Sequence, residues 1–145
     1  MAAMSDYLEN KIVDWLFRGQ TFTPPAGLHV GLLTAAPSDT GGGTEVSGGS
    51  YARVNLAPSL TNWAGTQAAA STTASTGTSG TTSNNSTITF PTPTATWGTV
   101  THFGVYDAAS AGNLLFYGAL TIAKTINTGD VISFPAAALT VQIDN

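Results

Sequence analysis

The sequence predicts a mainly β protein: an antiparallel β-sandwich preceded by one N-terminal α-helix. Three observations carry that expectation. Short apolar, β-rich runs recur between breaks rich in Gly, Pro, Ser and Asn. One stretch, near the N-terminus, has helical spacing. The middle of the chain, 97–121, holds two such apolar runs around a short Ser/Ala/Gly/Asn cluster, which is the pattern of a hairpin. Sequence does not order the strands, and a jelly-roll order fits the pattern equally well.

The helix is expected over Ser5 to Phe17, within 5–18. Ser5 suits the N-cap, and Asp6 and Glu9 lie in the first turn, where the helix dipole favours anions. Leu8, Ile12, Trp15 and Leu16 recur at i, i+4, i+7 and i+8 and share one apolar face. Arg18 falls in the last turn, and Gly19 suits the left-handed position that ends a helix. Pro24-Pro25 then enforces extended chain.

Leu28 to Thr34 reads as a strand with Leu28, Val30 and Leu32 on one face. Ala35 to Ser50 reads as a long loop rich in Gly, Ser and Asp, of a length that is often functional or held by a partner. Tyr51 to Leu56 is the second expected strand. Ala64 to Asn85 is low complexity, an arm within 64–86 with too little apolar side chain to offset its ordering entropy. The stretch from about Thr66 to Asn85 is therefore expected to be mobile in the free protein and ordered by neighbours. Ser86 to Phe90 is a strand stopped by Pro91 and Pro93.

The central hairpin follows, from Trp97 to Ala108 and from Leu114 to Thr121. Thr99, Thr101, Phe103 and Val105 share one face of its first strand; Val100, His102, Gly104 and Tyr106 share the other. Both faces carry large side chains, so burial is expected on both. Asn127 to Asp130 reads as a turn, Val131 to Phe134 as a strand edged by Pro135, and Leu139 to Ile143 as the closing strand. The result is one domain over 1–145, with roughly seven short strands.

Composition narrows the function classes. Charged residues are 8% of the chain, well below the roughly 25% of ordinary soluble domains. Such a surface is poorly protected against association, which suits a protein partly covered in an assembly. Lys and Arg total 4 against 8 Asp and Glu, a net charge of −4. So few cations disfavour nucleic acid and anionic membranes as partners. There is no cysteine, hence no disulfide or thiolate ligand. No secretory signal and no membrane-spanning apolar run is expected.

Four stretches together resemble a family of small bacteriophage virion structural proteins, commonly labelled tail fibre or head decoration proteins. They are 97–120, Ser5 to Gly19, the loop Gly41 to Val54 and the tail Lys124 to Asp130. The resemblance implies a non-enzymatic structural role in the phage particle.

Chemical motifs add no catalysis. His102 and Asp107 lie roughly 16 Å apart along an extended strand and do not pair there. His102 is expected to be packed with its ring hydrogen-bonded. His29 is the other imidazole, and two histidines with dispersed carboxylates make no metal site. The glycine loop lacks the Lys-Ser/Thr ending of a phosphate cradle. The Asn84 and Asn85 sequons carry no weight without a secretory signal. Trp15 and Trp97 read as core residues; Trp63 is the least constrained tryptophan and the candidate for stacking a sugar.

The expected function is therefore a virion protein without cofactor, metal or catalytic residues. A capsid decoration (cement) protein is the first expectation. A tail or tail-fibre component in host adsorption, including a carbohydrate-binding module, is the alternative. The expected partners are further copies of the chain, as a trimer or dimer, and other virion proteins such as the major capsid protein. The particle would assemble in the bacterial cytoplasm. Interface candidates are His102, Tyr106, Leu115, Tyr117 and Trp63.

Overall fold

The computed structural model describes residues 2–65, 74–76 and 80–143. Its helix, α1 (Asp6–Arg18), begins and ends as the caps require. Ser5 has extended dihedrals and its hydroxyl accepts from the Leu8 N–H; Gly19 is left-handed, with φ 66°. The strands are β1 (Ala3–Met4), β2 (His29–Ala35), β3 (Thr44–Glu45), β4 (Val54–Asn55), β5 (Thr81–Ser83), β6 (Ile88–Thr89), β7 (Gly98–Tyr106), β8 (Leu114–Ile126), β9 (Ser133–Phe134) and β10 (Thr140–Gln142).

The main sheet has the order β1-β8-β7-β2-β3, with β4 also paired to β2. Two ribbons, β5–β10 and β6–β9, complete the sandwich. All of these pairings are antiparallel. The core lies between sheet and ribbons. Val30, Leu32, Phe103, Val105 and Ile126 come from the sheet; Ile88, Phe90, Leu139 and Val141 come from the ribbons and their flanks. Phe134 joins Phe90 and Phe103 edge to face, each at 6.2 Å between ring centroids.

Several elements depart from expectation. The return strand of the hairpin is longer than Leu114–Thr121, because β8 continues to Ile126 after a bulge. Val100 faces Lys124 and His102 faces Ala119, so β7 advances two residues while β8 advances five. The irregularity breaks strict alternation, and Val100 and Phe103 both reach the core. The second strand shrinks from Tyr51–Leu56 to Val54–Asn55. Tyr51 instead sends its ring between strands, edge-on to Trp97 at 5.2 Å, and its hydroxyl to the sheet. The loop from Ala35 to Ser50 contains β3 and a Ser38–Gly41 bridge.

The arm expectation falls largely on 66–73 and 77–79, outside the described residues. Its end is not an arm. Thr81–Ser83 pairs with Thr140–Gln142, and Asn84 is fully buried. The helix also differs from expectation. Leu8 is buried, but Trp15 is 56% and Phe17 78% exposed, with Val13 and Leu16 also in solvent. The helix is tied at its start, where the Ser5 N–H donates to the Leu115 carbonyl and the Ser5 hydroxyl to that of Leu114. Its last two turns are left uncovered, so Trp15 is no core residue.

Candidate functional site

The face of the main sheet opposite the core is where a second layer or a partner would lie. Gly31 and Gly104 leave it low in the middle. A Cβ at Gly31 would stand 2.9 Å from Glu45 Oε1 and 3.1 Å from Tyr106 Cε2. A Cβ at Gly104 would stand 2.8 Å from the Tyr106 ring and 3.0 Å from Leu114 Cδ1. Arg53 fills this depression. Its Nε and Nη2 donate to the two Glu45 carboxylate oxygens at 2.8 and 2.7 Å. Its Nη1 donates to the carbonyls of Ala108 and Ala111 at 2.8 Å each, in the hairpin loop. The Tyr51 hydroxyl donates to Glu45 Oε1 at 2.8 Å and accepts from the Leu32 N–H at 2.9 Å.

This arrangement is electrostatically closed. Burial works against the Arg53 charge, but the hydrogen bonds and charge of Glu45 outweigh it and raise the guanidinium pKa. Burial, with the Glu45 carboxylate nearby, raises the Tyr51 and Tyr106 phenols. Every side chain in it is committed within the chain, so it stiffens the face rather than presenting reactive groups.

The sequence-selected surface residues scatter accordingly. Tyr106 and Leu115 are buried: Tyr106 lies under Arg53, and Leu115 is the extra residue at a register shift between β7 and β8. They are not accessible contacts. His102 is half-buried, with Nδ1 2.8 Å from the Thr101 hydroxyl. Tyr117 is half-buried, and its hydroxyl donates to Asp39. Trp63 is also half-buried, and its indole N–H donates to the Leu56 carbonyl at 3.0 Å. Around it, Leu28, Val105, Phe116 and Val141 line an apolar pocket of about 240 Å³. Asp107 closes the hairpin loop by accepting from the Asn113 backbone and side-chain amides, each at 2.7 Å. No group of His, Asp and Glu among the described residues is arranged to hold a metal ion. No described helix is long and apolar enough to cross a membrane.

Sequence reasoning missed two exposed apolar features. One is the end of α1, with Val13, Trp15, Leu16 and Phe17. The other is a groove of about 620 Å³ beside the β8 bulge. Val100, Phe103, Leu120, Ile126, Phe134 and Leu139 line it, and Ile122 and Val131, 80% and 75% exposed, also contribute. The helix periodicity marked the first feature but assigned it to the core. The second depends on the bulge, which periodicity does not encode.

A β-sandwich stiffened by an internal ionic network and carrying exposed apolar side chains has the make-up of a structural protein. The family model of the podophage GP4 fiber I protein gp80 matches residues 3–142, and the chain belongs to that family. It is thus a phage virion structural protein, as the resemblance carried by its hairpin, helix, glycine loop and tail implied. A search of the curated proteins finds no match.

Proposed function

We propose that this chain is a non-enzymatic component of a phage tail fibre, assembled from several copies and attached to other virion proteins. The family match over residues 3–142 carries the reading. It supports the fibre alternative over the capsid-decoration expectation. Exposed apolar side chains on α1 and beside β8 support self-association, because monomeric surfaces rarely leave such groups clustered in water. A sugar-binding role at Trp63 draws no support from the site. The indole N–H is already bonded, and the surrounding pocket offers mainly apolar walls where sugar hydroxyls need polar partners.

Amine cross-linking of intact particles tests the location. Lys11 and Lys124 are exposed enough to react and lie on α1 and β8. Cross-links from either lysine to tail or fibre proteins are expected. Cross-links confined to the major capsid protein would restore the cement reading.

A further inference from the structure

We infer that residues 2–18, which hold β1 and α1, form an arm exchanged between copies: it leaves its own sheet and docks on β8 of a neighbouring copy. The bonds that hold it there are the ones it makes within one chain. The inference rests on the self-association proposed above and names the segment that carries it.

Three observations lead to it. First, the arm is held at one end only. Ala3 and Met4 pair with Tyr117 and Phe116 of β8. Ser5 bonds to the carbonyls of Leu114 and Leu115, and the Asp6 N–H donates to the Asp39 carbonyl at 2.8 Å. Ala2, Ser5 and Leu8 are buried, whereas Trp15, Leu16 and Phe17 lie in solvent. The arm therefore docks as a short plug, and among the strands its seat is chiefly β8.

Second, the chain that joins the arm to the sheet is unanchored. Ser5 is tied to Leu114, and Leu114 and His29 both pair with Tyr106, so the arm's seat and the start of β2 share one end of the sheet. The far end of α1 lies about 20 Å from its start. The segment 19–27 must run back over that distance. Among the described residues, Thr21 to Gly27 form no hydrogen bond. Phe22, Thr23 and Pro25 line a cleft of about 270 Å³ with Tyr7 and Leu115, so the segment does not pack closely against the first turn of the helix. Pro24-Pro25 has no N–H to donate and keeps the segment extended. Doubling back thus orders the segment and gains no bond in return.

Third, exchange gives up no contact. A second copy offers the same β8 edge and the same carbonyls of Leu114, Leu115 and Asp39. The exchanged arm satisfies the same donors and buries the same side chains, which is what makes such swaps a low-cost route to oligomers. What changes is the path of the segment 19–27, which straightens. Helix and straightened segment together span roughly 45 Å. That reaches a neighbouring copy of a domain whose radius of gyration is about 15 Å. Within one chain the arm has the advantage of a high effective concentration, and copies gathered in an assembly offset it.

The cysteine-free chain permits a clean test on the purified full-length protein. Ala3→Cys and Tyr117→Cys are combined in one chain, which is unfolded, refolded and mildly oxidised. Facing residues of paired antiparallel strands have the Cα separation that a disulfide needs. The pair Met4→Cys with Phe116→Cys serves as an independent second, and circular dichroism checks that each variant folds. A denaturing gel without reductant reads which chains the bond joins. The expected result is interchain disulfides in both pairs, at least fivefold over intrachain ones. As a second measure, copies carrying Ala3→Cys alone are refolded with copies carrying Tyr117→Cys alone. Covalent heterodimers are expected, at least fivefold above homodimers of either variant. Intrachain disulfides with an oligomeric mass by light scattering would overturn the inference while leaving self-association intact. Intrachain disulfides with a monomeric mass at micromolar concentration would overturn both.

Discussion

The guanidinium carbon of Arg53 lies 3.4 Å from the ring centroid of Tyr106, stacked across the second face of the sheet. The side chain is only 6% exposed. It joins three separate parts of the chain: β3 through Glu45, β7 through Tyr106, and the hairpin loop through Ala108 and Ala111. The planar fork suits this role, since two edges bond while a face stacks. Removing it would leave the Glu45 carboxylate part-buried without its counter-ion. Arg53→Ala is therefore expected to cost about 3 kcal/mol. That corresponds to a melting-temperature drop of roughly 10 °C for a chain of this size. Arg53→Lys should recover less than half, because an ammonium neither forks nor stacks. Urea unfolding of the three proteins decides; a lysine variant as stable as the parent would show that charge alone matters here.

Gly104 tests the same contact from below. Gly104→Ala places a methyl against Tyr106 and Leu114 in a face with no spare depth. The expected loss is about 1–3 kcal/mol, by overpacking rather than backbone strain. If thermal unfolding shows no change, the Tyr106 ring has room to lift, and its stacking under Arg53 is not fixed.

Asn84 does comparable work in the ribbons. Its amide nitrogen donates to the carbonyls of Ser86 and Pro135 at 2.8 Å each, and its oxygen accepts from the Leu139 N–H at 2.9 Å. Asn84→Ala would strand these buried groups, at a cost of about 3 kcal/mol. Asn84→Asp should be at least as damaging, because it turns a donor into an acceptor facing two carbonyls. Hydrogen exchange read on peptides covering Thr81–Ser83 provides a second measure. Protection there is expected in the parent and lost in both variants; full early exchange in the parent would revive the mobile arm for that stretch.

These cases mark what was legible in the sequence. The helix was readable to within a residue because its caps are local: Ser5 and Gly19 act on their own turn. The hairpin was readable because β-rich alternation and its loop are contiguous. Arg53 was not, since its partners Ala108 and Ala111 are 55 and 58 residues away. Asn84 was hidden for a related reason. In a Ser/Thr/Gly/Asn background, one amide aimed at distant carbonyls looks like its solvated neighbours. The bulge in β8 moved the core register at Val100 and Phe103, and no periodicity reports an irregular insertion. Trp15 had core spacing, but spacing states which residues share a face, not whether anything covers it.

Tyr117 should tie stability to alkaline pH. The hydrogen bond to Asp39, with a smaller contribution from burial and from nearby carboxylates, pushes its phenol up to about 12. An unfolded tyrosine ionises near 10. The contribution is thus fully present below about pH 10 and is lost as pH rises toward about 12. Tyr117→Phe should remove that dependence. The gap between parent and variant should stay constant below about pH 10 and narrow above it. Tyr51 and Tyr106 are also raised, but they act equally in both proteins and cancel in the difference. Urea midpoints at intervals from pH 8 to 11.5 read the gap, and parallel curves throughout would rule the bond out.

Ser5 separates anchoring of the helix from what its far end does. The residue caps α1 through Leu8, and it also fixes the helix to β8 through its N–H and its hydroxyl. Ser5→Ala keeps the backbone bond to Leu115 but removes the cap and the bond to Leu114. The cap alone is worth about 1 kcal/mol, and the stranded Leu114 carbonyl adds to it. Loss of the cap frays the first turn, which is the turn that touches the sheet. Global stability should fall by about 1–2 kcal/mol. The exposed end, two turns away, keeps its side chains but loses a fixed direction. A variant that folds normally yet self-associates several-fold more weakly is therefore expected, read by sedimentation alongside thermal unfolding. Unchanged association with the expected stability loss would mean that the orientation of α1 is set elsewhere. The remaining anchors would then be the backbone bonds of Ser5 to Leu115 and of Asp6 to Asp39, with the buried Leu8 side chain.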